Sequence, residues 1–214
     1  MANFSIEVNK SDKGVPIILR RLQGIEGFIV KAWDELSDDF TDALHPHRHD
    51  HYTCMLIEDG ALEVLLDFEH FIMPAKTLFI SPPWQVHQVL SVSKGSGWYI
   101  SFENNLIEAS VRATLDKCLE EMISVGLTDL EFDWFKSVIQ SIMALEEINS
   151  TTYKDVSHPL LSAFVAQAGL SYQSKPMGST ANFASRSVMI TKKFMNLVRH
   201  NYHHLKRPAD YAEK

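Results

Sequence analysis

The stretch from Leu44 to Gln88 constrains this chain more than any other. It opens with four histidines at alternate positions, His45, His47, His49 and His51, and runs through an apolar segment, Tyr52–Ile57, to a Glu58-Asp59-Gly60 turn signal. It returns by Ala61–Leu66, His70–Met73 and Thr77–Ile80 to a Pro82-Pro83-Trp84 corner and His87. In an extended strand, residues two apart share a face, so His47 and His49 look together into whatever a curled sheet encloses. His87 can face them from a second strand.

The segments around this stretch have the same character. Phe4–Val8, Gly14–Arg20, Gly27–Trp33, Val86–Val92 and Gly97–Phe102 are short and β-rich, separated by Asp, Gly, Pro and Ser. No helical crossover fits between them, so residues 1–104 are expected to form a sandwich or barrel rather than a βαβ sheet. In the last segment Trp98, Ile100 and Phe102 alternate with Gly97, Tyr99 and Ser101. That pattern predicts one packed face and one face lining a pocket or solvent.

From Leu106 the period changes from two to helical spacing. Leu115, Cys118, Leu119 and Met122 predict a helix closed by Gly126, and Thr128-Asp129-Leu130-Glu131 has the form of a capping box opening another. A further helix is expected from Ser157-His158-Pro159, with serine as N-cap and proline in the first turn. Phe135, Val138, Ile142, Leu161, Phe164 and Val165 make a wide apolar stripe on these two helices, so residues 105–173 read as a dimerisation segment. Residues 174–186, rich in Ser, Gly, Pro and Asn, are a linker by composition. Beyond it, residues 187–214 place Ile190, Phe194, Leu197 and Val198 on one helical face and carry Lys192, Lys193, Arg199, Lys206 and Arg207.

Composition narrows the function classes. With 27 acidic against 20 basic residues the net charge is -7, so the chain as a whole is a poor binder of polyanions and any nucleic-acid contact is local. The two cysteines, Cys54 and Cys118, have no metal or disulfide spacing and read as small core residues. No run approaches the roughly 20 apolar residues that a membrane helix needs, which predicts a cytoplasmic protein with no membrane partner.

The histidine stretch resembles the cupin barrel: His47 and His49 fit its histidine pair, Gly60 its closing glycine, Pro74 the opening of its second motif and His87 the close. Thr53 and Cys54 stand where that motif has a glutamate, and Ala75 where it has a glycine. The C-terminal run is similar to the point where AraC/XylS-family transcription regulators enter their DNA-binding domain. Phe194, Leu197 and Val198 match an F-x-x-L-V helix, and Tyr211-Ala212-Glu213-Lys214 the start of the next. The resemblance implies an α+β chain: a cupin-like (double-stranded β-helix) barrel, a helical dimerisation segment, a linker, and only the start of a helix-turn-helix domain. It also implies a small-molecule effector, a homodimer, and DNA contact only through the remainder of that domain.

The barrel mouth is then expected to bind the effector through His47, His49, Thr53, Met55, Trp84, His87, Trp98 and Tyr99, apolar and aromatic walls with a few polar groups fixing orientation. Trp84 has a second reading, as an indole plugging the barrel end. The histidines have one too: His47, His49 and His87 are three imidazoles of the kind that hold zinc, iron, copper or nickel. That would make the chain a cupin metalloenzyme, a dioxygenase or isomerase. The missing glutamate favours a sensor without catalytic residues or cofactor. A ligand-free scaffold is a third reading.

Overall fold

The structure, a computed structural model, describes residues 4–8, 17–22, 27–34, 43–67, 69–148, 153–175 and 182–212. Among them the strands are β1 (Phe4–Val8), β2 (Ile18–Leu22), β3 (Phe28–Asp34), β4 (His47–His49), β5 (Tyr52–Leu66), β6 (Glu69–Pro74), β7 (Thr77–Ser81), β8 (His87–Phe102), β9 (Met122–Gly126) and β10 (Asn182–Phe183). The helices are α1 (Ala109–Glu121), α2 (Asp129–Ile148), α3 (Tyr153–Ser174), α4 (Arg186–Asn201) and α5 (Pro208–Ala212).

Two long antiparallel strands, β5 and β8, form the spine. The first half of β5 and the second half of β8 pair with each other and with β7 and β3, and β9 and β10 continue beyond β7. The other halves carry β6 on one side and β4, β2 and β1 on the other. The expected turn at Glu58-Asp59-Gly60 is therefore a bend inside β5, opposite Ser93–Ser96 of β8, where the register slips between Ile57 and Ala61. Gly60 sits there at φ +70°, and a Cβ would meet the Ser93 carbonyl oxygen at 2.3 Å. Only glycine fits so close an approach with a left-handed backbone. The slip changes which residues face inward: Met55 and Ile57 before it, Leu62, Val64 and Leu66 after it, all in one apolar cluster.

The even-numbered face before the bend is apolar as well. Tyr52, Cys54, Leu56, Leu78, Ile80, Ile100 and Phe102 pack beneath α1, α2 and α3. The capping box forms as expected, with the Thr128 hydroxyl accepting from Glu131 N–H at 3.3 Å and the Glu131 carboxylate accepting from Thr128 N–H at 2.8 Å. Tyr172 of α3, fully buried, points its hydroxyl at the carbonyls of Leu78 and Ile123. It ties the helical layer to β7 and β9.

Four expectations change. Phe135, Ile142, Leu161 and Phe164 are 0% exposed, Val165 1% and Val138 9%, so the six residues assigned to dimerisation are consumed in covering the sheet. The segment after α1 is a strand, because Met122, Ile123 and Val125 are apolar, the last two β-branched, and Met122–Val125 is buried on both faces beside β7. Asn182 and Phe183, within the predicted linker, pair with β9. The helix expected from Ser157 begins at Tyr153 with Pro159 inside it; Pro159 and Asp155 are both exposed, so water can serve the carbonyl that loses its helical donor. The start of the strand predicted over Gly14–Arg20, residues 176–181 of the linker, and Glu213-Lys214 lie outside the described residues. The fold is α+β: a cupin-like double-stranded barrel followed by helices. No described helix is long and apolar enough to cross a membrane.

Candidate functional site

Three strands bring the histidines together. β4 lies between β2 and β8, with His47 registered opposite both Ile18 and His87, and His49 opposite Arg20. His47, His49 and His87 are 2%, 7% and 8% exposed, and one ring nitrogen from each lies within 4.8 Å of the others. Ring centroids are 4.2 Å apart for His47–His87, 4.9 Å for His49–His87 and 5.0 Å for His47–His49.

Hydrogen bonds set the tautomers. Nδ1–H of His47 donates to the His45 carbonyl at 2.8 Å, and Nδ1–H of His87 to the Gln85 carbonyl at 3.2 Å. The Asp50 carboxylate accepts from Nδ1–H of His51 at 2.9 Å, which leaves His51 Nε2 as an acceptor 3.1 Å from His49 Nδ1. Nδ1 of His49 therefore carries its proton, with the Thr53 hydroxyl a second partner at 2.7 Å. In all three rings the lone pair is left on Nε2. Asp50, though outside the cluster, thus fixes the state of His49 through His51.

The rings are neutral at physiological pH. Burial lowers His47 to about 2, with the facing His87 and Arg20 adding to the effect. Burial and the neighbouring His87, His47 and His51 hold His49 well below its ordinary value, and burial brings His87 to about 4 despite its bond to Gln85. A neutral, lone-pair-bearing imidazole is the form that accepts a hydrogen bond or binds a metal. A tetrahedral zinc set needs nitrogens roughly 3.4 Å apart, so the rings would draw together around an ion. Thr53, standing where the cupin motif has its glutamate, spends its hydroxyl on His49 and Ser101, and no carboxylate joins the three imidazoles among the described residues.

The remaining predicted residues divide. Thr53 and Met55 share the inward face of β5, opposite Ser81 and Ser101 and opposite Phe79 and Tyr99 respectively, so the interior grades from a polar end to an apolar one. Trp98 departs from the expectation: it lies on the outward face of β8, 8% exposed, with Lys136 of α2 over its ring at 5.2 Å. Alternation already separates Trp98 from Tyr99, so both cannot line one interior. Trp84 lies outside the barrel, 42% exposed, at φ +71°, with its backbone N–H donating to the His49 carbonyl at 2.7 Å and the Arg48 guanidinium 5.5 Å from its ring centre. A bulky side chain in that backbone region costs on the order of 1–3 kcal/mol.

Two residues of the site were missed in the sequence. His51, 1% exposed, continues the same alternation as His47 and His49, so the signal was present. Arg20, 7% exposed, reaches the site through the parallel pairing of β2 with β4, which no local pattern reveals. Cys54 is buried on the outward face, its thiol pushed up by burial, and half-buried Cys118 points its sulfur at the Gly169 carbonyl.

Solved structures to which the chain is similar include the transcriptional activator CuxR, described as AraC-like (11% identity over 98% of this chain and 74% of that one, TM-score 0.44). They also include apo ToxT from Vibrio cholerae (12% identity, 87% and 69%, TM-score 0.42) and ToxT with bound unsaturated fatty acid (15% identity, 87% and 68%, TM-score 0.34). No curated protein matches. Residues 36–117, the segment holding β4 to β8, the histidine cluster and the start of α1, match the family model of the AraC-like ligand binding domain.

Proposed function

We propose that the chain is the ligand-sensing part of a transcription regulator, and that a small molecule binds at the polar end of the barrel interior, against His47, His49, His87 and Thr53. The observation that carries this is the AraC-like ligand binding domain match over residues 36–117, which encloses all four. Three neutral imidazoles and the neighbouring hydroxyls offer acceptors and donors to a polar ligand, while Met55, Phe79 and Tyr99 supply apolar wall. In this reading the chain is not an enzyme. A ligand that favours one arrangement of the barrel shifts the helices packed on it, and with them α4 and α5, which begin a DNA-binding domain. The regulator acts as a homodimer, through a surface other than the six buried residues above.

A second reading, a metal-dependent cupin enzyme, is favoured by the converging imidazoles. His47, His49 and His87 would hold the ion, which would supply Lewis acidity at the site.

One experiment separates the two. Thermal shift of the chain against a panel of sugars, fatty acids and aromatic acids is run beside elemental analysis after exposure to zinc, iron or nickel. The sensor reading expects a compound that raises Tm and loses its effect in His47→Ala, without a stoichiometric metal. One ion per chain, lost in His47→Ala, with no such compound, overturns it in favour of the enzyme.

A further inference from the structure

A cleft of about 470 Å³ lies outside the barrel, between the Pro82–Trp84 corner, α1 and α4. We propose that it is a second ligand site, for a small amphipathic carboxylate with a planar or apolar body, and that it connects the barrel to α4.

Strand alternation makes the connection. β4 turns His47 and His49 inward, so Arg48 between them faces the other way, into the cleft. Trp84, also on the cleft wall, is bonded through its backbone to the His49 carbonyl. The opposite wall includes Thr191 and Met195 of α4. A ligand filling the cleft therefore touches the strand that holds the histidines and the helix that leads to the C-terminal segment.

The chemistry of the walls selects the ligand. The Nε of Arg48 is buried and has no hydrogen-bond partner among the described residues, while its guanidinium lies over the Trp84 ring. Of the three carboxylates on the walls, Asp67 accepts from Gln85 and from the backbone of Val86, Asp116 accepts from the Tyr52 hydroxyl, and Glu120 is partnered as well. Arg112 donates to the Asn104 carbonyl. The donors left to answer are those of Arg48 and the remaining N–H groups of Arg112, and a carboxylate is the group that satisfies a guanidinium edge best. Pro83, Trp84, Leu119 and Met195 give the body of such a ligand apolar and aromatic surface. Trp84 holds its left-handed backbone beside this opening, and strain kept at one corner fits a site that must present its indole there.

The test is calorimetric titration of the 214-residue chain with 2-naphthoate and with decanoate, each beside its neutral amide. Saturable binding of at least one acid is expected, at least about tenfold weaker for its amide and for Arg48→Met, since a charge-assisted pairing is lost in both. Arg48→Lys should retain part of it. Amide hydrogen exchange in Arg186–Asn201 should slow on binding. No saturation by either acid up to about 5 mM overturns the proposal. So do equal binding of acid and amide, loss in His87→Ala with Arg48→Met unaffected, and exchange in α4 that does not respond.

Discussion

The two faces of the first half of β5 have the same neighbours along the backbone and opposite roles. Outward, Tyr52, Cys54 and Leu56 meet α1, α2 and α3 in an apolar layer; inward, Thr53, Met55 and Ile57 run from the histidine cluster to the barrel's apolar end. The outward face is where burial of large side chains stabilises the chain, roughly 25 cal/mol for each Å² removed from water. The inward face carries polar groups whose burial is offset by hydrogen bonds at Nδ1 of His47, His49 and His87 and at the Thr53 hydroxyl. Stability and chemistry are thus separated by the pleat of a single strand. Disturbing one face should leave the other's signature intact.

The largest expected effect is on the outward side. Phe135 is fully buried and edge-on to Phe164 at 4.9 Å between ring centres, so Phe135→Ala should lower urea-unfolding stability by about 3–5 kcal/mol, equally at pH 7.5 and 5.5. A cost under about 1 kcal/mol would show that the helices do not hold the sheet.

The inward face should respond to pH instead. His47, His49 and His87 have folded values below the unfolded one of 6.5, so below pH 6.5 the unfolded chain takes up protons that the folded chain excludes. Stability is fully present above pH 6.5 and falls as pH drops toward the folded values of His87 and then His47. Each ring contributes up to about 1.4 kcal/mol per pH unit, and the three together make the chain roughly 4 kcal/mol less stable at pH 5.5 than at 7.5. His87→Asn should remove about a third of that slope. A flat profile over this range would mean that the rings are not kept neutral.

Glu131 tests the helical layer electrostatically. Its burial alone would raise its pKa, but hydrogen bonds from Thr128, Lys175 and Ser171 outweigh that and bring it to about 2. It links the start of α2 to the end of α3. Glu131→Gln should cost about 2 kcal/mol at pH 7, and the wild-type advantage should be present above about pH 4.5 and vanish as pH falls toward 2. An advantage that persists at pH 2 would place its origin in packing.

How much of this was legible depended on the range of each signal. The Thr128–Glu131 capping box and the split between Trp98 and Tyr99 were readable because both rest on neighbours within a few residues. Choosing Trp98 for the pocket ignored that same alternation. Glu58-Asp59-Gly60 looked like a turn because the residues that allow a bend are those that allow a reversal; the β8 segment lying across it decides between the two. Phe135 and Phe164 were legible as buried, but what buries them was not. An apolar stripe is satisfied equally by the chain's own sheet or by a second chain.

The sequence by itself determined the two halves of the molecule, β-rich then helical, and the alternation that turns His47, His49 and Thr53 to one side, since both are periodicities of a local backbone. Only the tertiary structure decided that β2 lies against β4 and brings Arg20 to the histidines, that His51 passes the influence of Asp50 to His49, and that Met122–Gly126 extends the sheet. Those contacts join residues far apart in the chain or depend on a side chain's hydrogen-bond state. Their free energy comes from the partner, which local sequence does not name.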